Sequence, residues 1–187
     1  MTKPTSALSA SVVLEFCNLC QWTYEVWLNH LELFDGNPRL TGPRNSYAKK
    51  ELNRLSIISQ EYGLLQLFKP HDKAVMNGNI TLGIDYMLKY GGWSNSLRPR
   101  LEALAKELND FANQLRSARN KILSHHDLET IVAGASLGKF AKGDDEKYFK
   151  TLQKFVNMVH GEVIGGPWPF SNQVKNDVTA FLIRIKW

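Results

Sequence analysis

The residues best suited to chemistry lie in one short segment, Arg119-Asn120-Lys121-Ile122-Leu123-Ser124-His125. Arginine presents a rigid fork of donors that can hold a phosphate, and histidine can move a proton near neutral pH. An arginine, an amide and a histidine within seven residues therefore form a minimal set for cleaving RNA without a metal ion. His126 follows directly and doubles the histidine.

The longest helical pattern of the chain positions this segment. His125 lies one further step along an apolar seam whose members are spaced by three and four residues, namely Leu101, Leu104, Leu108, Phe111, Leu115, Ala118 and Ile122. His125 therefore faces whatever the seam packs against, which is either the core or a partner. His126 follows Arg119 by seven residues and shares its stripe on a straight helix, so spacing leaves the choice between the two histidines open.

A purely structural role is the alternative for these residues. His125 would then be a packed histidine bonded to a backbone carbonyl. Arg116 and Arg119 would be solvated charges on the face of the helix. The spacing alone does not separate this alternative from a catalytic role.

Helical spacing of apolar residues recurs along nearly the whole chain and predicts an all-α fold. We predict helices over about 8–33, from Ser46 to a stop at Pro70, over about 81–89, along the seam, and from Asp144 to Val163. The stretch from Val174 to Ile185 fits a final helix or an edge strand. Together they predict a single domain over 1–187, an antiparallel bundle of four main helices with short accessory helices.

Composition sets wide bounds on the function. The 187 residues suffice for one domain, and the net charge of +5 is only a mild bias toward phosphate-bearing partners. No stretch is long and apolar enough to span a membrane, and Glu15 and Asn18 interrupt the short apolar run near the N-terminus. We therefore expect a cytoplasmic protein without a membrane partner.

The sequence predicts neither a metal site nor a cofactor. Cys17 and Cys20 have no second pair to complete a zinc site, and they fall on the buried side of a helical pattern, where packed thiols are expected. His71-Asp72, His160 and Glu162 are far apart and lack metal-ligand spacing. No glycine-rich phosphate loop occurs, since the glycine pairs are typical of helix ends.

Two stretches resemble the HEPN superfamily, the nucleotide-binding helical domains of higher eukaryotes and prokaryotes. The string RNKILSHHD is similar to the Arg-Asn-Lys version of the Arg-x(4–6)-His motif in HEPN domains of the abortive-infection AbiU type. Upstream, Leu67-Phe68-Lys69-Pro70 resembles the turn that ends a helix in that group, and Asn79-Ile80-Thr81-Leu82 resembles the start of its next helix. The resemblance covers about residues 10–165.

This resemblance implies a HEPN-like bundle that forms a homodimer in which two motifs meet as a composite, metal-independent endoribonuclease site. His125, or His126 in its place, would act as general base or acid. Arg119 would hold the scissile phosphate, and Asn120 would position the phosphate or the histidine. Arg116 and Lys121, which flank or lie within the motif, are predicted to bind the RNA substrate.

Two functions follow from the resemblance. The first is an RNA-cleaving homodimer in antiviral defence or in a toxin–antitoxin pair, with an antitoxin protein as a further partner. The alternative is a non-catalytic HEPN-like module that binds a nucleotide, RNA or a protein, with His125 in a structural role. A helical scaffold of another lineage is the third interpretation.

Overall fold

The chain forms six α-helices within the part that the structure describes. The computed structural model describes residues 8–35, 46–123, 141 and 143–184, and for residues 46–48 and 117–123 it describes the backbone. The helices are α1 (Ala10–Leu33), α2 (Ser46–Phe68), α3 (Ile84–Tyr90), α4 (Arg98–Leu123), α5 (Asp144–Val163) and α6 (Gln173–Arg184). The all-α prediction is therefore confirmed, and the final segment is a helix rather than an edge strand. No described helix is long and apolar enough to cross a membrane.

A small hairpin follows α2, and the sequence analysis did not predict it. Strand β1 (Val75–Met76) pairs antiparallel with β2 (Asn79–Ile80) across Asn77 and Gly78. Both turn residues have positive φ, 51° and 81°, as a two-residue hairpin turn requires. The expectation that Asn79-Ile80-Thr81-Leu82 starts the next helix is wrong, because its first two residues pair with β1 and α3 begins at Ile84.

The chain divides into two compact units. One contains residues 1–20 and 67–169, and the other contains residues 21–66 and 170–187. Each unit is therefore assembled from two separate segments of the chain. The prediction of a single domain over 1–187 stays a prediction.

The first unit is organised by the contact between α4 and α5. In the seam of α4, Leu104 is half-buried, and the other described members are buried, namely Leu101, Leu108, Phe111 and Leu115. Helix α5 supplies its own buried stripe of Leu152, Phe155, Val156 and Val159. The Phe111 ring stacks on the Tyr148 ring with centroids 4.9 Å apart. The described part of the seam therefore packs against another helix of the same chain.

The two cysteines belong to this core. Both thiols are fully buried and free. Burial raises the pKa of Cys17 to about 12 and that of Cys20 well above its ordinary value, because a thiolate is poorly solvated there. The prediction of two packed thiols is confirmed.

In the second unit, α1 and α2 run antiparallel. The Trp22 indole donates to the Tyr62 hydroxyl at 3.4 Å, and the His30 ring contacts the Ser59 hydroxyl at 3.1 Å. The residue later in α1 thus contacts the residue earlier in α2, as antiparallel helices require. The Thr23 hydroxyl adds a buried bond to a carbonyl oxygen near the end of α2. Polar contacts therefore hold the pair in register.

Gly91 occupies a position that only glycine can fill in this structure. A Cβ atom there would overlap the indole of Trp93, which is buried and donates to the Met87 carbonyl at 2.8 Å. We expect Gly91→Ala to reduce the free energy of unfolding by about 2 kcal/mol, because a packed indole must move. Urea denaturation measures the change.

Gly161 provides the matched control. A Cβ at this helical position would approach only the Gly166 carbonyl oxygen, at 3.5 Å, which is an ordinary contact. Gly161→Ala should therefore leave stability unchanged or raise it by up to about 1 kcal/mol through helix propensity. Equal losses in the two variants would contradict the packing explanation.

Candidate functional site

The structure places part of the predicted motif on the last turns of α4. The helix continues to Leu123, so the backbone of Arg119, Asn120 and Lys121 is helical. His125 and His126 lie outside the described residues. The catalytic and substrate-binding roles of these five residues therefore stay predictions.

Arg116 is the predicted site residue whose side-chain environment the structure describes. Its Nε donates to the Asn113 side-chain oxygen at 3.2 Å, and its guanidinium carbon lies 5.9 Å from the centroid of the Phe68 ring. The residue is exposed, and no carboxylate among the described side chains forms an ion pair with it. The guanidinium is thus oriented by two contacts while its terminal nitrogens remain accessible to an anion.

Arg116 belongs to a row of polar residues along α4, which we call the polar stripe. Asn109, Asn113 and Arg116 follow one another at steps of four and three residues and therefore share one face of the helix. The next position in the same series is Asn120. The sequence interpretation followed the apolar seam and missed this stripe, although the same spacing was the signal for both.

His71 fixes the start of the polar stripe. One ring nitrogen lies 2.7 Å from the Asn109 side-chain oxygen, and the other lies 2.8 Å from the Tyr148 hydroxyl. All three groups are satisfied when His71 Nδ1–H donates to Asn109 and the Tyr148 hydroxyl donates to Nε2. This neutral ring joins the turn after α2 to both α4 and α5.

The surroundings of His71 keep the ring uncharged. Burial lowers its pKa to about 4, the bond to Asn109 acts in the opposite direction, and the positive charge of Arg116 lowers the pKa further. A histidine with such a pKa is uncharged near neutral pH, and both nitrogens of this ring are already hydrogen-bonded. His71 is therefore a structural connection and no rival to the histidines of the motif as a proton carrier.

A single short turn contacts the polar stripe at two points. Helix α2 ends at Phe68, and the residues Lys69–His71 form a turn of 3-10 helix in which Pro70 is buried. The turn that the sequence predicts at Pro70 is thereby confirmed. Phe68 meets Arg116 and His71 meets Asn109, so this turn orients the face of α4 that leads to the motif.

The two described histidines among the metal candidates have other partners. Both ring nitrogens of His71 are occupied, and the His160 ring contacts the Gly166 carbonyl oxygen at 2.9 Å. Within the described ranges, no three histidine, cysteine or carboxylate side chains lie close enough to hold one ion.

A groove of about 200 Å³ beside α4 and α5 is a poor place for RNA. Its polar lining contains three carboxylates and one lysine, which are Glu107, Asp110, Asp144 and Lys147. The excess negative charge would repel phosphate. The exposed side of the polar stripe, with Arg116, is the more suitable surface.

The neutral His71 makes stability decrease in acid. Its pKa rises from about 4 in the folded protein toward 6.5 in the unfolded chain, so the unfolded state holds more protons between these values. We expect this one group to lower the free energy of unfolding by about 2–3 kcal/mol as the pH falls from 6.5 to 4. Urea denaturation at pH 7 and pH 4 measures the loss.

The variant His71→Gln isolates this contribution. It should be less stable than the wild type at pH 7, because Asn109 and Tyr148 lose their shared partner. Its further loss on acidification should be smaller, since the other titrating groups are present in both proteins. An identical acid loss in both proteins would contradict a neutral His71 that is bonded at both ring nitrogens.

Comparison with known proteins gives one match. A HEPN family model described as AbiU2 matches residues 53–181. No curated protein and no solved structure matches the chain. The matched range contains the turn after α2, the polar stripe and the Arg119–His125 segment, and it covers more than half of the chain. The chain therefore belongs to the HEPN-type AbiU2 family of abortive-infection domains, and its all-α fold is HEPN-like.

Proposed function

We propose that this protein is a metal-independent endoribonuclease that acts in abortive infection as a cytoplasmic homodimer. Its composite site combines one Arg119–His125 pair from each chain. Arg116 carries the proposal, because it is an accessible guanidinium held by two contacts on the helix that bears the motif. Membership of the HEPN family and the Arg-x5-His spacing support the same assignment.

The proposed reaction is attack by a ribose 2′-hydroxyl on the adjacent phosphorus. His125 removes the hydroxyl proton, or in the facing chain protonates the departing 5′-oxygen, so that a 2′,3′-cyclic phosphate and a 5′-hydroxyl result. Arg119 neutralises the charge that develops on the phosphoryl oxygens, and Asn120 positions the phosphate or the imidazole. His126 is the alternative to His125.

Arg116 and Lys121 bind the RNA next to the point of cleavage in this proposal. Arg116 lies less than one helical turn from Arg119 in sequence, and α4 carries both residues. A guanidinium already oriented by Asn113 and Phe68 loses little freedom when it binds a phosphate. An antitoxin protein that covers this surface would be the natural means of control.

Catalysis by the motif is tested with single-stranded RNA in the presence of EDTA. We expect the wild type to cleave, and we expect Arg119→Ala and His125→Ala each to reduce the rate by about 10²- to 10⁴-fold. His126→Ala, measured in parallel, identifies the acting histidine. Lys106→Ala, an exposed change elsewhere on α4, is the control and should retain full activity.

Two outcomes would contradict this assignment. Activity that disappears with EDTA and returns with a divalent ion would reject the metal-independent mechanism. RNA binding without cleavage, unchanged in the histidine variants, would instead support the non-catalytic HEPN module.

The role of Arg116 predicts a different kinetic effect. Arg116→Ala should raise KM about 10-fold and leave kcat within about threefold, because the residue binds the substrate rather than the reacting atoms. The dependence of log Kd on log salt should become shallower by about one unit, since one phosphate contact is lost. Arg116→Lys should recover part of the affinity. A loss of kcat with unchanged KM would show that Arg116 acts at the reaction itself.

A further inference from the structure

Helix α2 exposes an apolar stripe to solvent. Leu55, Ile58, Tyr62 and Leu65 follow one another at steps of three, four and three residues, and these residues are 52, 59, 43 and 39% exposed. Trp22 of α1 is 48% exposed and donates to the Tyr62 hydroxyl, so it extends the same surface. We call these five residues the α2 patch.

The size of the α2 patch suits an interface. At about 200 Å² for each whole residue, the exposed fractions amount to roughly 500 Å², which is near the upper limit for an apolar patch on a monomer. Two such patches facing each other would bury on the order of 1,000 Å², where specific interfaces begin. Charged side chains at the margin would add to this area.

The charges beside the α2 patch make it complementary to itself. Arg54 and Glu61 are seven residues apart and lie along one edge of the stripe, with Ile58 near their midpoint. When two copies of α2 meet antiparallel about a two-fold axis at Ile58, each Arg54 faces the partner's Glu61. The exposed ion pair of Arg54 with Glu51 in its own chain does not prevent this, because such pairs contribute little.

We propose that the α2 patch is the surface through which a second copy of this chain docks. Two-fold pairing requires one patch that is complementary to itself, and this patch combines an apolar centre with opposite charges placed symmetrically about it. The inference rests on the homodimer of the proposed function and adds its contact surface. The described part of the α4 seam does not supply one, because it is buried within the chain.

Sedimentation velocity with matched aspartate variants tests the surface. Ile58→Asp places a charge at the proposed axis in both copies and should weaken the dimer by roughly 100-fold or more. Ile57→Asp is the control, because Ile57 is similarly exposed, at 45%, but lies off the stripe. It should leave the dimer unchanged, and far-UV circular dichroism should show equal helix content in both variants.

Charge reversal tests the antiparallel arrangement. Arg54→Glu and Glu61→Arg should each weaken the dimer about 10-fold, because like charges then meet across the axis. The double variant should restore the wild-type dissociation constant. Restoration is specific to a partner that carries the same two residues, so a foreign protein on this surface would not produce it.

The outcomes separate this surface from the nuclease assignment. A dimer that Ile58→Asp leaves intact would overturn the α2 interface alone, whereas a monomeric wild type would overturn both this interface and the homodimer of the proposed function. Neither result depends on RNA cleavage, which the Arg119 and His125 variants test independently. A dimer that dissociates in Ile58→Asp but never cleaves RNA would support the interface and reject the nuclease.

Discussion

The packing of α4 against α5 is the constraint on which the candidate site depends. Burying the apolar seam fixes the rotation of α4 about its axis, because its large side chains must fill the space beside α5. With the seam inward, the polar stripe is left at the surface, and Arg116 becomes accessible. The reaction proposed for the end of α4 therefore depends on the packing of apolar residues that take no part in it.

The turn after α2 contacts the polar face of α4 and fixes the side chains there. A buried polar group is costly without partners, and His71 has a partner at each ring nitrogen. Its neutrality matters as well, because a charged imidazole would repel Arg116 and weaken the hold on α4. The neutral His71 can thus lie near Arg116 without electrostatic repulsion.

Local patterns account for the parts of the structure that could be predicted from the sequence. Apolar spacing located the helices, and Pro70 marked the end of α2 because proline ends a helix. The contacts of His71 could not be predicted, since its partners are 38 and 77 residues away. The hairpin was within reach of the sequence, because Asn77-Gly78 is a strong turn signal, but its strands are too short to show alternation.

Apolar spacing identifies the apolar face of a helix, but it does not identify what packs against that face. Helices α2 and α4 both carry stripes at steps of three and four, yet the described α4 stripe is mostly buried while that of α2 is exposed. The periodicity of α4 left open whether the seam faces the core or a partner, and in the structure the described part of that face packs against α5. A seam therefore identifies a surface that must be covered, and only the tertiary structure shows whether the chain covers it itself. In the proposed dimer the motif lies on α4 and the contact surface lies on α2, so substitutions in the motif should abolish cleavage without preventing self-association.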